Sequence, residues 1–211
     1  MELQPKLIPV RVPHAPKGVV LVLHGGAARR DRMMVSPTQL SVLRMIPIAR
    51  TLARRGKGEL AVFRLLNSRR GWDAHHTPVH DAHWALDEIA ERLGTRLPTS
   101  LVGHSLGGRA ALLAAGARDV ASAVALAPWV YPTDVAPGLE GRRLLIVHGD
   151  HDRIASPERA RALADALSGH ADVRYVNVVG GKHAMLSHGR EFVEPAVEFV
   201  LETLLAPVGA R

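Results

Sequence analysis

Ser105 lies in Gly103-His-Ser105-Leu-Gly107, and the residues around it set up acyl chemistry. A short apolar run, Thr99 to Val102, enters the motif, and a small-residue run, Arg109 to Ala117, leaves it. The predicted order is strand, sharp turn, helix, with the serine at the apex of a Gly-x-Ser-x-Gly nucleophile elbow. Side chains at 103 or 107 would crowd the strand against the helix. The helix N-terminus behind the serine supplies backbone N–H groups for a developing oxyanion. A serine hydroxyl is a weak nucleophile at neutral pH and needs a base. His183, on a Gly-Gly loop after the last predicted strand, is the first candidate, and His188 is the alternative. The imidazole needs an acid to fix its tautomer. Asp152 in Gly149-Asp-His-Asp152 is the first candidate and Asp150 the second. His24 and His104 flank the same positions and read as loop supports.

These residues need strand ends to carry them. Leu7 to Val12 reads as an edge strand, with Pro9 and Pro13 unsuited to a central one. Val19 to Leu23 is a continuous apolar run, the pattern of a strand buried on both faces. Ser36-Pro37 predicts the start of a helix that carries Leu40, Leu43, Ile46, Ile48 and Leu52 to Gly56, kinked or broken at Pro47. Glu59 to Leu66 is a strand. Asp81 to Leu93 is a helix with Trp84, Leu86, Ile89 and Leu93 inward. Strands follow at Ala121 to Ala127, Arg143 to His148 and Asp172 to Val179. Ser156-Pro157-Glu158 opens a helix to Leu167, and a last helix spans Arg190 to Leu205. Alternating strands and helices predict a mostly parallel sheet with helices on both faces, in one domain over residues 1–211.

With those motifs in order, the chain resembles the α/β-hydrolase superfamily over essentially its whole length. The matches are Val22-Leu-His24-Gly25-Gly26, the elbow Gly103 to Gly107, Gly149 to Asp152, and Gly181-Lys-His183. More narrowly it looks like the small capless members, dienelactone-hydrolase-like or carboxylesterase-like. The resemblance implies an α/β-hydrolase fold of about seven strands, without a cap domain. It also implies a triad of Ser105, Asp152 and His183, and an oxyanion hole made by the amides of Leu106 and Gly26, with Ala27 as substitute for Gly26. There are departures. Only one strand precedes Val19, and the stretch after Trp129 is too short for a helical cap. The nucleophile is serine, where epoxide and haloalkane enzymes use aspartate and true dienelactone hydrolases use cysteine.

The expected activity is therefore cleavage of a small carboxylic ester or thioester, with no cofactor. Acyl transfer or cyclisation from the same acyl-enzyme is an alternative, as is a non-catalytic ligand-binding protein on this scaffold. Trp72, Trp129 and Tyr131 follow strand ends and are candidates for the substrate pocket, with Ala27; ordinary packing is the competing reading of the aromatics. Arg29, Arg30 and Arg32, with Met33-Met34, follow the oxyanion loop. They read either as a rim for an anionic substrate group or as solvated surface.

His75, His76, His80 and His83 cluster, and His76 and His80 have helical spacing, but no cysteine completes a metal site, so none is expected. The net charge is +7, and only four of the 27 basic residues are lysine. The arginine blocks are short, lack interleaved aromatics and sit in no nucleic-acid fold signature, so no nucleic-acid partner is expected. The chain has no cysteine, hence no disulfide. It has no signal pattern and no apolar run of the ~20 residues that span a bilayer. A cytoplasmic protein that does not bind membranes is the expectation. Oligomeric state is not legible.

Overall fold

The computed structural model describes residues 4–26 and 35–206. The chain runs β1 (Lys6–Arg11), β2 (Gly18–Leu23), α1 (Leu40–Arg55), β3 (Leu60–Leu66), α2 (Thr77–Leu93), β4 (Thr99–His104), α3 (Leu106–Leu113), β5 (Val120–Leu126), β6 (Arg143–Gly149), α4 (Pro157–Leu167), β7 (Asp172–Val178) and α5 (Gly189–Leu205). The strands form one sheet in the order β1-β3-β2-β4-β5-β6-β7. All neighbours are parallel except β1, which pairs antiparallel with β3 at the edge. The β1 ladder slips between Pro9 and Arg11, where the missing proline N–H costs an edge strand least.

Alternation sorts the core into two layers. Val19, Leu21 and Leu23 face α2, α3 and α4, whereas Val20 and Val22 face α1 and α5. Both faces are covered, so β2 and β4 are buried along their whole length. Low aromatic content is met by Ala, Val and Leu filling both layers. Residues 127–142 connect β5 to β6 without a helix, and among the described residues no cap stands over the C-terminal edge of the sheet.

Several expectations in α1 and α2 need correction. α1 starts at Leu40, not at Ser36-Pro37. The Ser36 hydroxyl is engaged by Thr38 (Oγ1 at 2.8 Å, and N at 3.3 Å), and Gln39 N donates to Ser36 O, closing a turn ahead of the helix. Of the kink or break expected at Pro47, the break does not occur, and α1 runs unbroken from Leu40 to Arg55. Pro47 lies on the exposed side, where water can serve the carbonyl it leaves unpaired. The buried stripe of α1 is Val42, Met45, Ile48, Ala49, Leu52 and Ala53, and Leu40 is instead 77% exposed. α2 begins at Thr77, four residues before Asp81, because Pro78 suits a first turn and Asp73 accepts from Thr77 N at 2.9 Å. Asp81 is consequently interior and binds Ser68 through its N–H and hydroxyl, while Trp84 faces outward.

Candidate active site

Ser105 joins β4 to α3 with φ 56° and ψ −121°, a conformation L-residues seldom hold. The neighbours impose it. Ser105 N donates to Leu126 O at 3.0 Å, and Ser105 O accepts from Arg109 N at 3.1 Å and Trp129 N at 3.3 Å. A Cβ on Gly103 would stand 2.0 Å from Gly107 O, and one on Gly107 would stand 2.5 Å from Leu23 O. Any side chain at either position would push strand and helix apart, so the elbow closes only with glycine there.

His183 Nε2 lies 3.0 Å from Ser105 Oγ, and His183 Nδ1 lies 2.8 Å from Asp152 Oδ2. The loops after β6 and β7 bring this pair together by touching backbone to backbone. A Cβ on Gly149 would come within 2.3 Å of Gly181 C, and His151 N donates to Gly181 O at 3.0 Å. Asp150 is a clasp between the same loops. Its carboxylate accepts from Gly180 N at 2.7 Å and from Asn177 Nδ2 at 3.2 Å, contacts that lower its pKa with the Asn177 bond foremost. His188 stands at the start of α5 beside Gly180.

Asp152 is buried and receives four donors. Oδ1 accepts from Ile154 N at 2.8 Å and Ala155 N at 2.9 Å; Oδ2 accepts from His183 Nδ1 and from His148 Nε2 at 3.2 Å. Burial by itself would raise this carboxyl's pKa. The bonds from His148, His183 and Ala155 outweigh burial and hold it well below the usual carboxylate range. It therefore stays ionised. The sequence reading missed His148. Its signal was a histidine in the apolar run of β6, four residues before the acid.

The two flanking histidines are held neutral. Burial and the adjacent His183 push His104 down to about 3, and its Nε2–H donates to His183 O at 2.9 Å. Burial also lowers His24, whose Nδ1–H donates to Gly25 O at 2.6 Å while Nε2 accepts from Asn67 N at 3.1 Å. Each imidazole fixes a loop, His24 the one before Gly26 and His104 the one that carries His183.

Leu106 opens α3, so its N–H has no intrahelical acceptor. Gly26 approaches it across the cavity wall, its Cβ position 3.8 Å from Leu106 Cδ1 and 2.9 Å from Gly71 N. Gly26 and Ser105 line the same cavity. Ala27 lies outside the described residues, as do Arg29, Arg30, Arg32, Met33 and Met34.

A cavity of about 690 Å³ covers Ser105 and His183, lined among others by Leu40, Arg44, Arg70 and Trp129. Trp129 thus sits at the site. Trp72 and Tyr131 are not among its lining residues. They hold the Arg109 guanidinium, whose centre is 4.3 Å from the Trp72 ring and 5.0 Å from the Tyr131 ring. Arg109 also pairs with both oxygens of Asp134, at 2.8 and 2.7 Å. Strand-end position alone could not separate these two aromatics from Trp129. Among the described residues no group of three or more His, Asp or Glu side chains is placed to hold a metal, the His75–His83 cluster included. No helix there is long and apolar enough to cross a membrane.

No protein-family model matches the chain, and no curated protein matches its sequence. Solved structures do. A thermophilic esterase, Est2 from the planctomycete Thermogutta terrifontis, is 18% identical with a TM-score of 0.69, over 97% of this chain and 90% of that one. An α/β serine hydrolase without a lid from Xanthomonas campestris is 19% identical with a TM-score of 0.67, over 96% and 90%. Est1E from Butyrivibrio proteoclasticus is 16% identical with a TM-score of 0.65, over 96% and 94%. At these identities the likeness is one of fold.

Proposed function

We propose that this chain, which has the α/β-hydrolase fold without a cap domain, is a serine hydrolase. Its substrate would be a small carboxylic ester or thioester, cleaved through an acyl-enzyme on Ser105. The observation that carries the reading is the continuous line from Ser105 Oγ through His183 to Asp152, at 3.0 and 2.8 Å, on a strained elbow. His183 Nε2 takes the hydroxyl proton as Ser105 Oγ bonds to the carbonyl carbon. The carbonyl electron pair moves onto oxygen, facing the Leu106 and Gly26 amides. Collapse of the tetrahedral species breaks the bond to the leaving group, which takes its proton from His183 Nε2. Water then gives a proton to His183 and attacks the acyl carbon. Ser105 Oγ leaves, recovers the proton, and the carboxylic acid is released. The ionised Asp152 stabilises the imidazolium at both stages. Each oxyanion donor is worth ~3 kcal/mol to the transition state.

Two of the similar structures support a carboxylic product: Est1E has been solved with ferulic acid bound and the Thermogutta esterase with propionate bound. The testing experiment is labelling with a fluorophosphonate, followed by peptide mapping. One stoichiometric adduct on Ser105, absent in Ser105→Ala, is the expected outcome. A folded protein that takes no adduct would overturn the reading.

A further inference from the structure

The mouth of the site carries positive charge with no described counter-ion. Arg44, on α1, lines the cavity over Ser105 and also a second cavity of about 500 Å³ that opens beside His183. Arg70 shares the first cavity, and Arg153 and Lys182 share the second. Among the described residues no acidic side chain lines either one. Asp152 lies behind His183 with its oxygens already taken by four donors, and Asp150 is occupied by Gly180 and Asn177 and reaches only His151, at 4.0 Å.

Arg44 and Arg70 are half-buried, and the Nε of each is enclosed without a hydrogen-bond partner among the described residues. Arg109 and Arg143, also partly buried, are neutralised by Asp134 and by Asp172 and Glu202, whereas Arg142, with an enclosed Nε of the same kind, lines neither cavity. Arg44 does not earn its place through its helix either. It lies near the N-terminal end of α1, where the macrodipole opposes a cation. Burial lowers its pKa with no carboxylate to offset the cost, and its charge reaches His104 at the back of the site. The terminal nitrogens of Arg44 make no hydrogen bond among the described residues, and a guanidinium in a cavity wall can grip a carboxylate or a phosphate through two parallel hydrogen bonds. Like charges around a cleft also concentrate anions at its mouth.

We propose that the substrate carries an anionic group, a carboxylate or phosphate, held between Arg44, Arg153 and Lys182 in the cavity beside His183 while the scissile carbonyl lies over Ser105. This rests on the reading of Ser105 as the acyl-forming nucleophile. Arg70 adds to the field without being required for the grip.

The test uses ethyl alkylfluorophosphonates matched in chain length and ending in a carboxylate, in its methyl ester, or in a phosphate. Second-order rates of adduct formation on Ser105 are compared. The wild-type protein should react with an anionic probe ~10-fold or more faster than with the methyl ester. The faster anionic probe identifies which of the two groups the site prefers. Arg44→Met should bring that ratio close to one, and Arg44→Lys should keep part of it. The Arg153→Met/Lys182→Met pair should lower the ratio by a smaller factor. A wild-type ratio of one or below overturns the proposal whatever the variants do. So does an unchanged ratio in Arg44→Met that melts normally by circular dichroism. If none of the probes labels the folded protein, the failure is instead that of the nucleophile assignment.

Discussion

The floor and the mouth of this site are built on opposite principles. On the floor the reacting groups are partnered within the chain, although the Nδ1 atoms of His104 and His148 are enclosed without a partner among the described residues. Asp152 takes four donors, His183 is held at both ring nitrogens and at its carbonyl, and Ser105 is fixed through both backbone polar groups. At the mouth, Arg44 and Arg70 keep enclosed Nε atoms with no described partner. Reacting groups held from several sides have little freedom to reorganise during reaction, which is the requirement for electrostatic stabilisation. A guanidinium left in a cavity wall without a carboxylate partner costs stability and gains only when an anion from outside the chain pairs with it. On the proposed reading, the contrast assigns the chemistry to the fold and the selectivity to the substrate's own charge.

The largest effects should come from breaking the floor. Asp152→Asn should lower the Ser105 labelling rate by ~10³–10⁴-fold with the fold intact, because an amide cannot stabilise the imidazolium. Gly107→Val should prevent folding or cost several kcal/mol, since its Cβ would meet Leu23 O at 2.5 Å; recovery of well-folded, labelled protein would refute the account of the elbow.

Acid should also open the floor. His104 is held down at about 3 in the fold, against an ordinary value near 6.5, so the unfolded chain binds more protons between those limits. Stability from this group is full above about 6.5 and lost as pH falls toward about 3, at up to ~1.4 kcal/mol per pH unit. Asp152 acts in the same direction lower down, contributing above the ordinary carboxylate pKa and losing that contribution as pH falls below it. Denaturant titrations from pH 7 to 4 should show the slope, and His104→Gln should flatten it. An equal slope in both proteins would count against the assignment.

Smaller effects sharpen the comparison. His148→Leu removes one donor from Asp152 and should slow labelling ~10-fold. It should also move the acid limb of the pH–rate profile upward, because the carboxylate then bears more charge against the imidazolium. A slower rate with an unmoved profile would mean that His148 only packs. Raising salt from low concentration to ~0.5 M should shrink the preference for anionic probes while the methyl-ester probe changes little. Smallest of all, Tyr131→Ala should leave labelling within ~2-fold and cost ~1 kcal/mol of stability, because its ring serves Arg109 rather than the cavity.

Much of this was legible before folding because the relevant signals are local. The glycines at 103 and 107 mark a backbone approach that no side chain permits, and the apolar run Val19 to Leu23 marks a strand covered on both faces. The order Ser105, Asp152, His183 follows the ends of β4, β6 and β7. Ser156 is read from its neighbours alone, and it caps α4 by accepting from Arg159 N at 3.1 Å. Helix starts were less legible where capping came from a distance, as with Asp73 before α2, and where Ser36 spent its hydroxyl on a turn.

The tertiary structure alone decided which side chains meet across loops and which face empty space. Trp72, Trp129 and Tyr131 share a strand-end address, yet only Trp129 reaches the cavity, because Arg109 and Asp134 recruit the other two. His148 and Arg44 carry no motif. One becomes a support for the acid because β6 ends beneath it, and the other becomes the charge at the mouth because α1 packs along the opposite wall. Local sequence dictates backbone shape through sterics and periodicity. The partners of a side chain depend on elements dozens of residues away, and only their packing brings those partners into reach.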